Sequence, residues 1–296
     1  MELTIYTPTY NRGYCLHQLY ESLCRQTHNV EDFEWLIVDD GSTDNTEELV
    51  QAWIRIAPFK IIYYKQKNEG KMAKLNFIHK IIETELCMCM DSDDYLTDNA
   101  VEIILSKWNQ VKNNPTIGGM VGLDIFKNGD VIGTRFPNLL NKIKFRDFGR
   151  YGVKGDKKFI YRTSVIRSYP PYPSFKGEKF PAPGYLYRLI DVDYELAIIN
   201  EPLCIAEYLE DGLSKNKYAQ FKMAPNSFMF YRQERIRLSH NTFEKYINSI
   251  HYVSSCMFAQ KNVLKNNKFP LLTFLAIPFG VLLNIYIRHT NKKGGV

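Results

Sequence analysis

The sequence predicts an α/β fold with a mostly parallel sheet flanked by helices. Four short apolar runs alternate with three helical patterns over the first 91 residues, which is the pattern of doubly wound parallel sheets. Polar clusters follow the ends of these runs, and right-handed crossovers bring such ends to one edge of a sheet. Ligands bind at that edge in open α/β sheets. The sequence therefore predicts one site assembled from four loops.

The N-terminal elements follow from hydrophobic periodicity and from turn residues. A strand over residues 2–7 stops at Pro8, because proline cannot continue a central strand. Apolar residues at helical spacing predict a helix over 14–26. The run from Phe33 to Asp39 is mostly apolar, as in strands covered on both faces. The further predicted elements are a helix over 44–56 opened by a capping box of Asp44 and Glu47, a strand over 60–64, a helix over 72–84 and a strand over 86–91.

The downstream elements are predicted in the same way. A helix over 100–110 precedes a strand over 118–123 and a hairpin that turns at Asn128-Gly129-Asp130. Frequent Gly, Pro, Lys and Tyr residues predict a long loop with short helices over 149–184. The last predictions are a helix over 185–199, a short strand over 203–207 and a helical region over 215–267. Residues 1–214 are thus expected to form the α/β domain and residues 215–296 a helical C-terminal appendage.

Cysteine and histidine usage argue against two kinds of site. The six cysteines are scattered and have no CxxC spacing, so we expect them to be reduced, as in cytosolic proteins. The six histidines show no paired spacing, which argues against zinc. The N-terminal residues enter a strand at once and lack the pattern of a secretory signal. We therefore expect a cytoplasmic protein.

Charge is distributed unevenly along the chain. Residues 211–296 contain 13 lysines and arginines but three aspartates and glutamates, whereas the first 210 residues contain 25 and 29. Within the basic part, residues 269–287 carry no charge and have basic flanks. A spanning helix needs about 20 apolar residues, and Pro270, Pro278 and Gly280 weaken that interpretation. An interfacial helix on an anionic leaflet, a spanning helix and a buried or oligomer-forming helix remain open, with peripheral contact at the cytoplasmic face of the membrane expected.

The acidic turn Asp91-Ser92-Asp93-Asp94 directly follows a buried-strand pattern. Carboxylates held in one turn repel each other unless a cation or a donor joins them, and a hard divalent cation carrying a diphosphate meets this need. An EF-hand loop is excluded, because Leu96 stands where such loops have glycine. Gly70-Lys71 is no P-loop, since it lacks the preceding glycine and a following Ser or Thr. The turn therefore predicts a nucleotide-diphosphate site.

Four polar motifs lie in the first hundred residues: Thr7-Pro-Thr-Tyr-Asn-Arg12, Asp39-Asp-Gly-Ser-Thr-Asp44, Asn68-x-Gly70 with Asn76, and Asp91-Ser-Asp93-Asp94. They come in the order and spacing of glycosyltransferase family 2, which the chain resembles over these residues. The family has the GT-A fold with a Rossmann-like sheet, and its inverting enzymes use nucleotide-sugar donors. The downstream run from Asn200 to Asn216 looks like the branch that builds bacterial capsular and other cell-surface polysaccharides.

The resemblance implies roles for the residues of these motifs. A carboxylate accepts the ring N–H of uracil, so the nucleotide base would be held by Thr7, Pro8, Asp39 and Asp40. Asp91 would face the ribose and diphosphate of a UDP-sugar. Asp93 would bind Mn²⁺ or Mg²⁺, which stabilises the departing charge as a Lewis acid. The expected donor-binding set is completed by Tyr10, Arg12, Asn68, Lys71, Lys74 and Ser92.

Inversion by a single displacement needs a base that takes the proton of the acceptor hydroxyl. The family has an Asp or Glu in this role well beyond the metal motif, which implies Glu178, with Asp191 and Asp193 as alternatives. Several relatives carry a second acidic residue where this chain has Ala182-Pro183. The tryptophan motif of processive synthases is also absent. We therefore expect transfer of one sugar to a saccharide or lipid-linked acceptor.

Two other function classes remain open. A nucleotidyltransferase of similar topology also uses metal-binding carboxylates, but it needs a glycine-rich, basic phosphate loop after the first strand. The residues from Thr7 to Asn11 do not supply such a loop. A catalytically inactive, membrane-associated scaffold is the other alternative, if Glu178 is not the base. No nucleic-acid partner is expected.

Overall fold

The computed structural model describes residues 1–179, 182, 184–207, 217–265 and 267–290, with the backbone alone for residues 217–219. The described residues fall into two compact units. The first lies within Met1–Pro170 and Ile190–Leu209, and the second within Pro171–Leu189 and Glu210–Val296. The expected domain boundary at residue 214 stays a prediction, and the second unit also includes residues from 171–189.

The first unit is built on one mixed sheet, which has nine strands in the described part of the chain. Strands β3, β2, β1 and β4 run parallel in that order, and β8 lies antiparallel between β4 and β6. The order continues through β9 to β5, and β7 pairs with β9. This confirms the predicted mostly parallel α/β sheet. The strands are β1 Leu3–Thr9, β2 Phe33–Asp39, β3 Lys60–Lys65, β4 Leu86–Cys89, β5 Tyr95–Leu96, β6 Ile117–Ile125, β7 Lys142–Ile143, β8 Lys157–Arg162 and β9 Glu195–Ile205.

Helices cover the sheet and create the core of the first unit. Alternate residues of a strand face opposite sides of the sheet, and one side, with Ile5 and Trp35, packs against α1, α2 and α4. Helix α3 contacts β1 and β2, and its buried residues, such as Leu75, lie outside that cluster. The helices are α1 Leu16–Cys24, α2 Thr46–Ile56, α3 Lys71–Ile81, α4 Ala100–Val111 and α5 Thr163–Ser168, with 3₁₀ turns at Val30–Asp32 and Phe145–Asp147. Helix α6, Gly184–Asp193, belongs to the second unit up to Leu189 and to the first unit from Ile190.

Two of the predicted elements were wrong. The stretch predicted as a loop with short helices over 149–184 does contain the short helix α5, but it also contains the central strand β8. The helix predicted over 185–199 ends at Asp193, and the chain continues as β9. The run Leu196–Ile199 is buried and continuously apolar, and periodicity alone does not separate such a strand from a buried helix.

Two local predictions were also corrected. The turn at Asn128-Gly129-Asp130 forms, with Gly129 at a φ of 89°, but its second arm makes one bridge, Ile125 to Val131, rather than a strand. Asp44 is not the N-cap of α2, because Asn45 holds that position. The carboxylate of Asp44 instead accepts hydrogen bonds from the backbone N–H and the hydroxyl of Thr46.

The second unit is helical apart from one short bridge among its described residues. A small core around Ile236, Tyr252 and Cys256 joins its helices. The six cysteines of the chain form no disulfide with one another in this structure, and Cys24 is exposed rather than in the core. The helices of this unit are α7 Lys217–Met223, α8 Pro225–Leu238, α9 Thr242–Phe258 and α10 Pro270–Thr290.

His79 on α3 gives the fold a pH dependence. Burial, followed by the charge of Arg167, lowers the pKa of His79 to about 4, below the ordinary value of about 6.5 for an unfolded histidine. At pH values between these two pKa values, His79 is mostly protonated in the unfolded chain and mostly neutral in the folded chain. We expect the free energy of unfolding to fall as pH drops from about 6.5 to about 4, by up to about 1.4 kcal/mol per pH unit from this residue.

The pH dependence is checked by urea unfolding across this range. His79→Gln should flatten the slope, whereas His17→Gln should leave it unchanged, since His17 is exposed on α1. Equal slopes for His79→Gln and the unsubstituted protein would contradict the assignment.

Candidate active site

The loops that follow β1 and β2 are joined by hydrogen bonds at the C-terminal edge of the sheet. Asn11 adopts a left-handed backbone conformation with φ of 51°. Its backbone N–H donates to the hydroxyl of Ser42 at 2.8 Å, and its side-chain oxygen accepts from the N–H of Thr43 at 2.8 Å. The N–H of Gly13 donates to Asp44 at 3.0 Å. These contacts fix the first two predicted loops against each other.

Asp39 and Asp40 are buried at the end of β2 and organise the neighbouring loops. Asp39 accepts from the backbone N–H of Ser42 at 2.7 Å and from the hydroxyl of Tyr63 at 2.7 Å. Asp40 accepts from the N–H groups of Glu69 and Gly70 at 2.7 and 2.8 Å. Both carboxylates therefore hold backbone in place, and Asp40 ties the second loop to the third.

Lys74 lies fully buried beneath the third loop. Its ammonium group donates to the backbone oxygen of Lys67 at 2.8 Å and to the side-chain oxygen of Gln66 at 3.0 Å, and it lies 3.4 Å from Asp40. Thr7 is equally buried, and its hydroxyl accepts from the indole N–H of Trp35 at 3.0 Å. The side chains of Lys74 and Thr7 thus make hydrogen bonds beneath the loops. Their contacts with a nucleotide-sugar donor stay predictions.

Lys71 connects the third loop to the acidic turn. Its ammonium group lies 2.5 Å from Asp91, and both side chains are partly exposed. Burial would raise the pKa of Asp91, but the charges of Lys71 and then Lys158 outweigh it and hold that pKa below its usual value. Asp91 is thus an anion beside a cation at the surface, where a diphosphate would meet Lys71.

Asp93 has a different electrostatic environment. Burial, and then the charge of Asp91, raise the pKa of its carboxyl group. A cation between these two carboxylates would relieve that repulsion. No cluster of three or more His, Cys, Asp or Glu side chains suited to a metal occurs in the described residues. The donor set therefore fits Mg²⁺ or Mn²⁺ that arrives with a diphosphate, because such ions take one or two carboxylates and complete their shell with phosphate oxygens.

A buried lysine behind the acidic turn was missed by the sequence analysis. Lys158 on β8 lies 3.3 Å from Asp94. Burial raises the pKa of Asp94 to about 6, against the opposing charge of Lys158. Asp124 on β6 is also buried, and one of its oxygens has no hydrogen-bond partner in the described part of the chain. The signal for Lys158 was the apolar run Phe159–Tyr161 after it, which marks a strand.

The other predicted donor-binding residues lie at the ends of the same strands. Ser92 is buried within the acidic turn, and Tyr10 is exposed. Arg12 lies close to the ring of Tyr14. Pro8 and Asn68 are half-buried. The predicted assembly of four loops at one edge is therefore what the fold produces.

The three predicted bases have different surroundings. Glu178, in the second unit, accepts four hydrogen bonds from the backbone and side chains of Asn226 and Ser227 at 2.6–3.0 Å. Burial alone would raise the pKa of Glu178, but the hydrogen bonds from Ser227 and Asn226 outweigh burial and lower that pKa. Asp191 is buried and accepts from the N–H groups of Phe145 and Arg146.

Asp193 is exposed and lies at the end of α6. Its carboxylate accepts a hydrogen bond from the hydroxyl of Tyr169 at 2.6 Å. Burial and this carboxylate together raise the pKa of Tyr169, so the phenol keeps its proton and donates it. Asp193 thus differs from Glu178 and Asp191, whose carboxylates hold backbone N–H groups at the start of a helix or turn.

The sequence model of glycosyl transferase family 2 matches residues 4–169, more than half of the chain. The chain belongs to glycosyl transferase family 2. Among curated members similar to this family 2 chain is the poly(ribitol-phosphate) β-N-acetylglucosaminyltransferase TarP of Staphylococcus aureus strain N315. The two are 30% identical over an alignment of 142 residues that covers 44% of this chain and 42% of TarP. The chain spans less than half the length of the curated relatives it matches.

Solved structures of glycosyltransferases share the fold of this family 2 chain. Residues 1–349 of S. aureus TarS in complex with UDP-GlcNAc superpose with a TM-score of 0.59 at 16% identity, covering 99% of this chain and 92% of that one. The mannosyltransferase PcManGT of Pyrobaculum calidifontis, in complex with GDP-Man and Mn²⁺, superposes with a TM-score of 0.57 at 14% identity, covering 96% and 87%. The predicted GT-A fold is confirmed.

Proposed function

We propose that the protein is a metal-dependent, inverting glycosyltransferase that moves one sugar from a UDP-sugar to a saccharide or lipid-linked acceptor in cell-surface polysaccharide synthesis. The observation that carries this proposal is the acidic turn joined to the third loop, with Lys71 against Asp91 and Asp93 under repulsion. The names of TarP and TarS support a nucleotide-sugar donor and a polymer acceptor. The complex of PcManGT with Mn²⁺ supports a divalent cation.

The donor is assigned to the edge formed by the four loops. Tyr10 lies in the first loop and Asn68 in the third, and the buried pair Asp39 and Asp40 keeps the second and third loops in position. Lys71 meets the diphosphate, since an ammonium group acts as a point charge for phosphate oxygens. On diphosphate binding, the contact between Lys71 and Asp91 loosens and frees the carboxylate for the ribose or the cation.

Asp93, with Asp91, would hold Mn²⁺ or Mg²⁺. When bound there, the cation acts as a Lewis acid that stabilises charge on the departing diphosphate. The acceptor oxygen attacks the anomeric carbon as the bond to the diphosphate oxygen breaks, so UDP leaves and the configuration inverts. The acceptor proton passes to a carboxylate of this chain.

We assign the proton acceptor to Glu178, as the family resemblance implies. Asp191 and Asp193 come directly before β9, whose first residue pairs with Ile117 at the start of β6. Strands β6 and β4 run in the same direction, because β8 lies antiparallel between them. Both aspartates therefore lie at the edge of the sheet opposite the acidic turn, out of reach of a sugar bound there.

The proposal is tested by turnover of radiolabelled UDP-sugars with Mn²⁺ and with EDTA. We expect transfer to acceptor, or slow donor hydrolysis, that requires the cation. A protein that turns over none of the UDP-sugars in either condition would refute the proposed activity and leave the inactive scaffold.

Three matched variants separate the bases. Glu178→Gln is expected to reduce transfer by on the order of 10²–10⁴-fold while UDP affinity stays unchanged. Asp193→Asn is expected to retain full transfer, and Asp191→Asn to lower the melting temperature, because Asp191 accepts from two backbone N–H groups. Transfer retained by Glu178→Gln would move the role to Asp191 or Asp193.

A further inference from the structure

Helix α10 has its polarity reversed relative to a helix that faces water. Its buried side is a stripe of small and polar residues, and its bulky apolar side chains point outward. A helix at the surface of a soluble domain buries its large apolar residues and exposes polar ones. The buried residues are Thr273, Ala276, Gly280, Asn284 and Ile287.

The buried stripe packs closely on α9. A side-chain carbon at Gly280 would stand 2.4 Å from a carbon of Val253, so glycine alone permits this approach. Further along, the amide of Asn284 donates to the backbone oxygen of Ser254 at 3.1 Å. Small residues at a helix crossing with a polar hydrogen bond beside them are typical of helix pairs inside membranes. Helix α10 is therefore fixed to α9 through its small and polar face.

The outward side of α10 is an apolar ridge, which we define as Leu271, Phe274, Leu275, Phe279, Leu282 and Ile285. Each of these side chains is exposed, Leu271 to 75% and Leu282 to 63%. Soluble monomers rarely expose an apolar strip of this kind unless it binds something. By length and composition α10 is also the one helix in the described part of the chain that is able to cross a membrane. Only 28% of its most apolar window is buried, whereas the core helix of a soluble protein is mostly buried.

The charges around the apolar ridge identify the chemistry of its partner. Lys265 and Lys268 precede α10 and are exposed, and Arg288 is exposed in its last turn. The sequence continues with Lys292 and Lys293. Basic residues beside an apolar helix face favour anionic lipid headgroups. An apolar ridge with basic ends therefore fits an anionic membrane.

Helix α9 determines the orientation of α10 in that membrane. The two helices are in contact from Tyr246, whose hydroxyl donates to Leu275 at 3.2 Å, to Phe258, whose ring lies under Arg288. A spanning α10 would draw α9 into the hydrocarbon together with Glu244 and Lys245, and charges there are costly. We propose that α10 lies in the plane of an anionic membrane interface with its apolar ridge in the acyl region and α9 on the water side.

Flotation of the full chain with vesicles tests the proposal. Two kinds of vesicle are compared. One is pure phosphatidylcholine, and the other contains on the order of 30% phosphatidylglycerol, which makes its surface anionic. We expect binding to the anionic vesicles that weakens in high salt. The double variant Leu275→Glu/Leu282→Glu should lose binding at least tenfold. The matched control Leu139→Glu changes a 96% exposed leucine of the first unit and should bind as the unsubstituted protein does.

Two results would overturn the proposal. One is a protein that ignores both kinds of vesicle. The other is a protein that self-associates in solution through the apolar ridge, with the double variant becoming monomeric and vesicle binding unaffected. Circular dichroism of the double variant must match that of the unsubstituted protein. If the variant is unfolded, the single variant Leu282→Glu with a smaller but measurable loss serves in its place.

Depth measurements distinguish a lying helix from a spanning one. Phe274→Trp and Leu282→Trp place reporters eight residues apart on the apolar ridge, about 12 Å along the helix axis. The quenching of each added tryptophan is the fluorescence quenching of the variant minus that of the unsubstituted protein, which has three tryptophans of its own. Lipids brominated at defined depths should quench both added tryptophans most strongly from the same shallow position. Depths that differ by about 12 Å would contradict the in-plane orientation.

Discussion

Replacement of Asp93 by asparagine is expected to reduce sugar transfer by on the order of 10³-fold, because Lewis-acid stabilisation by a bound cation contributes several kcal/mol. The substitution preserves the size of the side chain and removes the charge that would hold the cation. It also relieves the repulsion between Asp93 and Asp91 that raises the pKa of Asp93. The melting temperature should therefore stay the same or rise slightly while activity is lost.

The measurement is the initial rate of transfer over a range of Mn²⁺ concentrations. Asp98→Asn is the matched control, since Asp98 is an exposed carboxylate five residues further on that pairs with Arg25. It should retain full activity. Full activity of Asp93→Asn at every Mn²⁺ concentration would contradict the assignment of Asp93.

Replacement of Asp40 by asparagine is expected to destabilise the first unit by roughly 3 kcal/mol, because it removes the buried carboxylate beside the ammonium group of Lys74 and leaves only the exposed carboxylate of Glu69, at 3.5 Å, among the described acidic partners. An amide at this position also offers one oxygen where Glu69 and Gly70 present two N–H donors. The loss of stability should be accompanied by loss of UDP binding, since Asp40 orders the loop that precedes Lys71.

A double-mutant cycle in urea isolates the interaction between Asp40 and Lys74. Removal of both charges in Asp40→Asn/Lys74→Met should be less destabilising than the sum of the single variants. The control is the exposed pair of Lys65 and Glu47, whose atoms are 2.8 Å apart and whose removal should change stability by less than about 1 kcal/mol. Additive effects at Asp40 and Lys74 would show that the buried pair is not coupled.

The first half of the fold was predictable because its signals are local. Strands β1 to β4 are apolar runs with polar ends, and the parallel α/β topology then determines that those ends meet. Thus residues as distant in sequence as Asn11 and Ser42, or Lys71 and Asp91, were predicted to lie together and do so. Glycine, proline and aspartate marked the loops correctly.

The second half of the sheet was less predictable because its partners are distant in sequence. Strand β8 begins with two buried lysines. Lysine is typical of exposed loops, and the carboxylates that allow Lys158 to be buried, Asp94 and Asp124, are far from it in sequence. Strand β9 reads as the continuation of a helix until β6 pairs with it. Local pattern carries no information about either neighbour.

The predicted base illustrates the same limit. Glu178 in a glycine-containing loop has the sequence of an exposed carboxylate, and the fold uses it to accept the N–H groups of Asn226 and Ser227 at the start of α8. Those donors lie almost fifty residues away in sequence. Neither spacing nor composition identifies a carboxylate that caps a distant helix.

The central claim is that the acidic turn binds a nucleoside diphosphate through a divalent cation. Calorimetric titration of the full chain with UDP, in excess Mn²⁺ and again in EDTA, tests it most directly. We expect saturable binding of one UDP in Mn²⁺ that weakens by at least about tenfold in EDTA, because Asp91 and Asp93 hold the cation together with phosphate oxygens. Equal binding in both conditions, or none in either, would contradict the account.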